Sequence, residues 1–383
     1  MYDFLVRNIL CQHQSGFRSA HSTQTAITEV KDFILKKIET REYVGAILID
    51  LKKAFDTVDH KILLKKMFCY GFQDQSFEWI ESYLSNRFQM TKFKEAMSDF
   101  VKEEIYGVPQ GSVLGPLFFL IYKNDIDKVM SGLFHLYADD TIFVHSNRIK
   151  LDLVYSLNRQ MSKLSKWLAL NKLTLNLKKT EVIFFGDEKK VKDCRELKIT
   201  LDGEIIENKS FVKYLGVYID EKFNWKKHIS VLRGKGYSKL NPIKFLVDTL
   251  TPQTKALLVN TLIMPYFNYC ATVWGSASKT SLSKLNNLHQ QSVQIANKPL
   301  LTFPNQLIYN KSIFAFKVIN NITPSYVLNK LNLVKSTHSY KTRSNSFNEI
   351  AIKLKRNTYS NQLLEHDIPT CFITKHGSFF ITK

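Results

Sequence analysis

The stretch Phe134-His135-Leu136-Tyr137-Ala138-Asp139-Asp140-Thr141-Ile142-Phe143-Val144-His145 decides how the chain is read. Two β-rich runs, Phe134 to Tyr137 and Thr141 to His145, flank Ala138-Asp139-Asp140, which predicts a hairpin with acids at its tip. An acidic pair in a turn is ordinary by itself. Here Leu136 and Ile142 on either side imply that the acids emerge from a buried sheet. Upstream, Val44 to Leu51 (VGAILIDL) is a short β-branched apolar run carrying Asp50 at its end, and it reads as a buried strand.

Carboxylates crowded together repel unless cations neutralise them. Oxygen ligands without Cys or His select Mg²⁺ or Mn²⁺ over zinc. Two such ions about 4 Å apart can activate a hydroxyl and stabilise a leaving phosphate oxygen, the chemistry of nucleotidyl transfer. The ten histidines show no metal-ligand spacing, and His60 reads as structural.

Around this centre the apolar positions Ile27, Val30, Phe33, Ile34 and Ile38 predict a helix over Thr25 to Ile38. Thr57 to Cys69 reads as another, with Asp56 and Asp59 as caps. Gly107 to Gly111 is a breaker-rich loop, and Gly115-Pro116 opens an apolar helix with proline in the first turn. Leu157, Met161, Leu164 and Leu168 mark an amphipathic helix. Glu181 to Phe185 and Phe211 to Asp220 read as strands, and helical patterns dominate beyond about residue 222. Hairpin strands with separately grouped helices give an α+β class.

The chain has 383 residues, 44% hydrophobic and 13% aromatic, which argues against disorder. Lys and Arg total 54 against 34 acids, a net charge of +20 spread along the chain. Spread charge on a folded body points to a polyanionic partner, with nucleic acid the commonest. Five scattered cysteines offer no zinc site and imply a reducing compartment. No secretory signal opens the sequence, and the longest apolar run, Leu117 to Tyr122, is too short to span a bilayer. A soluble, intracellular protein without a membrane partner is expected.

Tyr137-Ala138-Asp139-Asp140 resembles the YxDD signature of reverse transcriptases, and other motifs follow in that family's order. Gln14-Ser15-Gly16-Phe17-Arg18 resembles the second fingers motif, and Ile49 to His60 (IDLKKAFDTVDH) resembles motif A. Gly107 to Pro116 (GVPQGSVLGP) resembles motif B, Asn176 to Thr180 motif D, and Lys213 to Val217 (KYLGV) the primer grip. The set is similar to the polymerase of non-LTR, LINE-like retrotransposons of the jockey type, well over residues 1 to about 300 and more loosely beyond.

The resemblance implies a right-hand polymerase with an antiparallel palm sheet. Residues 1–43 would be partial fingers, 44–220 a palm with a fingers insertion, 221–300 a helical thumb, and 301–383 a helical C-terminal extension. It implies RNA-templated DNA synthesis from dNTP on a primer 3′-OH, with an RNA template and a DNA primer or target as partners. Asp50, Asp139 and Asp140, with the Leu51 carbonyl, would hold two Mg²⁺ ions, Mn²⁺ serving as well. Phe55 would exclude a 2′-OH, Gln110 and Gly111 would shape the nucleotide pocket, and Arg18 would contact phosphates. Lys179 would protonate the departing pyrophosphate. Tyr214, Leu215 and Gly216 would grip the primer. Lys226, Lys227, Lys235, Lys239 and Lys244 would track the duplex, while Trp225, Tyr237 and Phe245 pack the thumb core. A nuclear or cytoplasmic ribonucleoprotein is the implied setting, its oligomeric state open.

In that family a further fingers segment, around Arg-Pro-Ile-Ser, precedes the Gln14 region. The few residues before Gln14 cannot supply it, so the chain is expected to be N-terminally truncated and to hold dNTP weakly. Ile27, Val30 and Ile34 are expected to lose packing partners. A weak or dead remnant that only binds nucleic acid is the alternative, separated by primer extension. A two-metal nuclease is a further rival, separated by incubation with nucleic acid but no dNTP.

Overall fold

The computed structural model describes residues 1–98, 102–103, 106–109, 111–297, 300–329, 371–373 and 379–381. The chain opens with helices α1 (Tyr2–Asn8) and α2 (Thr23–Glu39), then strand β1 (Tyr43–Ile49) and helices α3 (His60–Cys69) and α4 (Asp74–Leu84). Four two-residue strands follow: β2 (Phe88–Gln89), β3 (Lys92–Phe93), β4 (Ala96–Met97) and β5 (Lys102–Glu103). Next come α5 (Leu114–Lys123), the hairpin β6 (Leu133–Tyr137) and β7 (Asp140–Asn147), and α6 (Lys150–Leu170). Then come β8 (Glu181–Phe185), α7 (Glu188–Cys194), β9 (Ile199–Leu201), β10 (Glu204–Asn208), β11 (Phe211–Tyr214) and β12 (Val217–Asp220).

Helices take over from there: α8 (Lys226–Phe245), α9 (Pro252–Leu262), α10 (Met264–Asn268), α11 (Ala271–Trp274), α12 (Lys279–Ala296), α13 (Phe303–Ile319) and α14 (Ser325–Leu328). A final strand pair is β13 (Cys371–Ile373) with β14 (Phe379–Ile381). Helices α13 and α14 fall within the expected helical extension, and this strand pair lies beyond them.

Six strands form the main sheet in the order β6-β7-β1-β8-β10-β9. All neighbours are antiparallel except β8 and β10. The expected α+β class is what the chain adopts. Alternation along each strand sends successive side chains to opposite faces. Val44, Ala46, Leu48, Ile142, Val144 and Ile183 face one core, with α2 and the C-terminal helices. Ile47, Ile49, Phe143, Val182 and Phe184 face the other, with α5 and α6. The sheet is therefore sandwiched between two helical layers.

Ser22 starts α2 with a capping box: its hydroxyl accepts from Thr25 N–H while Thr25 Oγ1 accepts from Ser22 N–H. Ile27, Val30 and Ile34 on α2 are fully buried against the sheet and Trp274-bearing helices. The expectation that this face would lack partners is thus corrected, because the C-terminal helices fold back to cover it.

Helix α3 starts three residues later than expected, since Asp59 and not Asp56 is its cap, accepting from Ile62 N–H at 3.0 Å. Lys172 pairs with the same carboxylate at 2.6 Å. At the start of α8, Trp225 is buried as expected. Phe245 is not: as the last residue of α8 it is 88% exposed, beyond the reach of the bundle.

Candidate active site

Register brings the acids together. Ile49 on β1 pairs with Thr141 on β7, so Asp50 follows on the same edge as Asp140. Tyr137 pairs with Asp140 across the hairpin, leaving Ala138 and Asp139 as a two-residue loop. Ala138 takes the left-handed conformation at φ 55°, which suits the twist of a tight hairpin. Burial raises the Asp140 carboxyl, and Asp139 and then Asp50 raise it further against the pull of Lys123 and Lys213.

The chain continues β1 by pairing with the segment after α6. Lys52 N–H donates to Thr174 O and Asn176 N–H to Asp50 O, both at 2.8 Å, around a bridge between Leu51 and Leu175. This pairing carries Lys178 and Lys179 to the acids. A cavity of about 420 Å³ is lined by Asp50, Asp140, Lys178, Lys179, Glu181, Lys213 and Tyr214, among others. Sequence reasoning found Lys179 there but missed Lys178, Lys213 and Glu181, although all three lie inside or beside the motifs it singled out.

Phe55 stacks on Phe119 of α5, ring centroids 4.4 Å apart, and stays half-buried. Its carbonyl accepts from Val108 N–H at 2.9 Å, which docks the glycine-rich loop beside it. Gly111 on that loop is exposed at φ 82°; Gln110 lies outside the described residues.

Tyr214 and Val217 pair across a second tight hairpin whose loop residues Leu215 and Gly216 both have positive φ, the type I′ pattern. A Cβ on Gly216 would lie 3.3 Å from the Tyr269 ring, whose hydroxyl donates to Leu215 O at 2.7 Å. The Tyr214 ring is buried, its hydroxyl 3.3 Å from His135 Nδ1. At the tip Gly216 is exposed, while Leu215 and the Tyr214 ring are buried.

Arg18 is absent from the cavity lining. Its Nη1 donates to Cys11 O at 2.8 Å and Gln14 O at 3.1 Å, bracing its own loop. That loop does unforeseen work. Ser15 N–H donates to Leu136 O and Leu136 N–H to His13 O, so residues 13–15 add to the open edge of β6. A Cβ on Gly16 would fall 2.4 Å from Ala138 N. The loop therefore abuts the back of the acidic turn.

The donor set is all oxygen, and its mutual repulsion suits divalent cations. Among the described residues, no three carboxylate, His or Cys side chains converge closely enough to hold one ion. The fit rests on the chemistry of the acids and on their shared edge.

Residues 1–219 match the reverse transcriptase (RNA-dependent DNA polymerase) family. The chain belongs to the reverse transcriptases. The chain is 27% identical over 307 residues to a probable RNA-directed DNA polymerase from transposon BS of Drosophila melanogaster. That match covers 75% of this chain and 33% of the relative. It is also 27% identical over 301 residues to the RNA-directed DNA polymerase from mobile element jockey of Drosophila funebris, covering 76% and 32%. The chain thus spans about a third of the length of these relatives. Among solved structures it is similar to apo telomerase from Candida tropicalis, with 14% identity and a TM-score of 0.44 over 76% of this chain and 48% of that one. Among the described residues, no helix of this reverse transcriptase is long and apolar enough to cross a membrane.

Proposed function

We propose that this chain catalyses RNA-templated DNA synthesis, joining a dNTP to the 3′-OH of a DNA primer, as the polymerase of a jockey-type non-LTR retrotransposon. The observation that carries the reading is the register of β1 on β7, which sets Asp50 beside Asp140 at the mouth of the acidic hairpin. Asp50, Asp139 and Asp140, with the Leu51 carbonyl, would hold two Mg²⁺ ions, or Mn²⁺. When bound, such ions supply activation of the attacking hydroxyl and charge neutralisation at the leaving pyrophosphate.

The chain's own groups do the rest. Lys178, Lys179 and Lys213 line the same cavity as Asp50 and Asp140 and would offer positive charge to a polyphosphate there. Lys179 would donate the proton to pyrophosphate. Phe55 would press its ring on the sugar edge and exclude a 2′-OH, and Gln110 and Gly111 would shape the pocket of the nascent base pair. The turn at Leu215 and Gly216 would steady the primer terminus, with the buried Tyr214 as its anchor. Arg18 reaches phosphate only by giving up its loop contacts. The setting that fits is a ribonucleoprotein of nucleus or cytoplasm.

Asp139→Asn tests the reading. Primer extension on an RNA template should be abolished while the melting temperature holds or rises slightly, since one repelling charge is gone. Undiminished extension by the purified variant would sink the catalytic assignment. A wild-type chain that binds primer–template but extends nothing is a remnant, and cleavage of nucleic acid without dNTP marks a nuclease.

A further inference from the structure

Lys123 ends the apolar helix α5, and its side chain is 1% exposed. Burying an ammonium is costly unless every donor finds an acceptor. Three acceptors surround its Nζ: Ala138 O at 2.9 Å, Asp139 O at 3.4 Å and Thr141 Oγ1 at 2.5 Å. They match the three donors of the group, and all belong to the acidic turn. The Thr141 hydroxyl in turn lies 3.3 Å from Asp139 O. Among the described residues Lys123 makes no ion pair, unlike the half-buried Lys66, which pairs with Asp125 at 2.7 Å.

The turn needs such a hold. Ala138 is left-handed without being glycine, a conformation that costs an L residue about 1–2 kcal/mol. Gln14 and Gly16 press on the turn from one side, with Gln14 Oε1 3.4 Å from Ala138 N. Lys123 grips its carbonyls from the buried side. One helical turn earlier, Phe119 carries the Phe55 ring, so a single helix supports both the acidic turn and the proposed nucleotide-sugar contact.

We propose that Lys123 is a positioning residue, whose ammonium fixes the backbone of the Ala138-Asp139 turn and so aims Asp139 and Asp140 before any cation arrives. The proposal rests on the reading of those acids as cation ligands, and its test separates the two. Lys123→Met keeps the bulk and removes the donors.

Mn²⁺ binding to the full chain, read by electron paramagnetic resonance without primer or dNTP, distinguishes aim from charge. Deleting a mere counter-charge tightens Mn²⁺ binding, because the acids then hold the ion with less competition. Losing the turn's aim weakens it. We expect binding about tenfold weaker, with kcat for extension falling by about tenfold or more, as misplacement by a fraction of an ångström can cost. Thr141→Val removes one acceptor, preserves shape, and should move both readouts the same way by less; it serves if Lys123→Met does not fold. Unchanged or tighter Mn²⁺ binding in the folded variants overturns the proposal. A wild-type chain that binds Mn²⁺ yet extends no primer overturns only the polymerase reading.

Discussion

At the scale of single residues, Phe55 has two duties that one substitution separates. Its ring packs on Phe119 and stays half-buried, open to the sugar contact proposed for it. Phe55→Ala should lower stability by about 1–2 kcal/mol, less than a fully buried ring loses. It should also raise ribonucleotide incorporation relative to deoxyribonucleotide, because steric exclusion disappears with the volume. Competitive incorporation assays check this: unaltered discrimination leaves Phe55 a packing residue alone. The acids were legible in the sequence because a charge at the end of an apolar strand stands out. Lys123 was not, since a lysine closing an apolar helix reads as a solvated cap, and its acceptors arrive from the following hairpin. Burial pushes its ammonium down to about 7, with Asp139 and Asp140 pulling it back up; no local pattern announces that environment.

Among the elements, the segment around Gln14 was recognised as a motif but not as a strand partner. Its contact with β6 is a parallel bridge made by one residue, Gln14 opposite Leu136, too short to leave a period. Elements with sustained periodicity, such as α2 and β8, were legible almost to their ends, while α6 was marked only by its apolar face from Leu157 on. The two-residue strands β2 to β5 and the short β9 and β10 were not, because runs of two to five residues are too short for alternation to announce them. The close approach of Gly16 gives an element-level prediction. Its Cβ position meets backbone, Ala138 N at 2.4 Å and Tyr137 C at 3.0 Å, which cannot swing aside. Gly16→Ala should push the loop off the hairpin, costing about 1–3 kcal/mol and lowering extension more than binding. Urea unfolding and steady-state kinetics read both, and wild-type values for the variant would show that the loop merely rests there.

Over the whole molecule, the excess of basic residues, 54 against 34 acids, is displayed in part along α8, where Lys226, Lys227, Lys235, Lys239 and Lys244 are all exposed. Each phosphate they neutralise releases counterions. Binding to primer–template should therefore weaken with salt, log affinity falling at a slope of about −0.9 per phosphate on B-DNA and about −0.7 on single strands. A flat salt titration would mean that the charge serves solubility alone. The sheet order has a consequence for how such a molecule comes into being. The central strand β1 is among the first to leave the ribosome, yet both of its neighbours come late: Val44 finds Ser146 on one side and Phe185 on the other. At about 5–20 residues per second, a nascent chain carries this apolar strand with both edges unpaired for on the order of ten seconds. Cotranslational folding of the N-terminal third cannot finish by itself. Folding yield should depend on chaperones that shield Val44 to Ile49 during that wait, and slower translation over β8 would lengthen the exposure of a strand that is buried from Val44 to Ile49 in the finished fold.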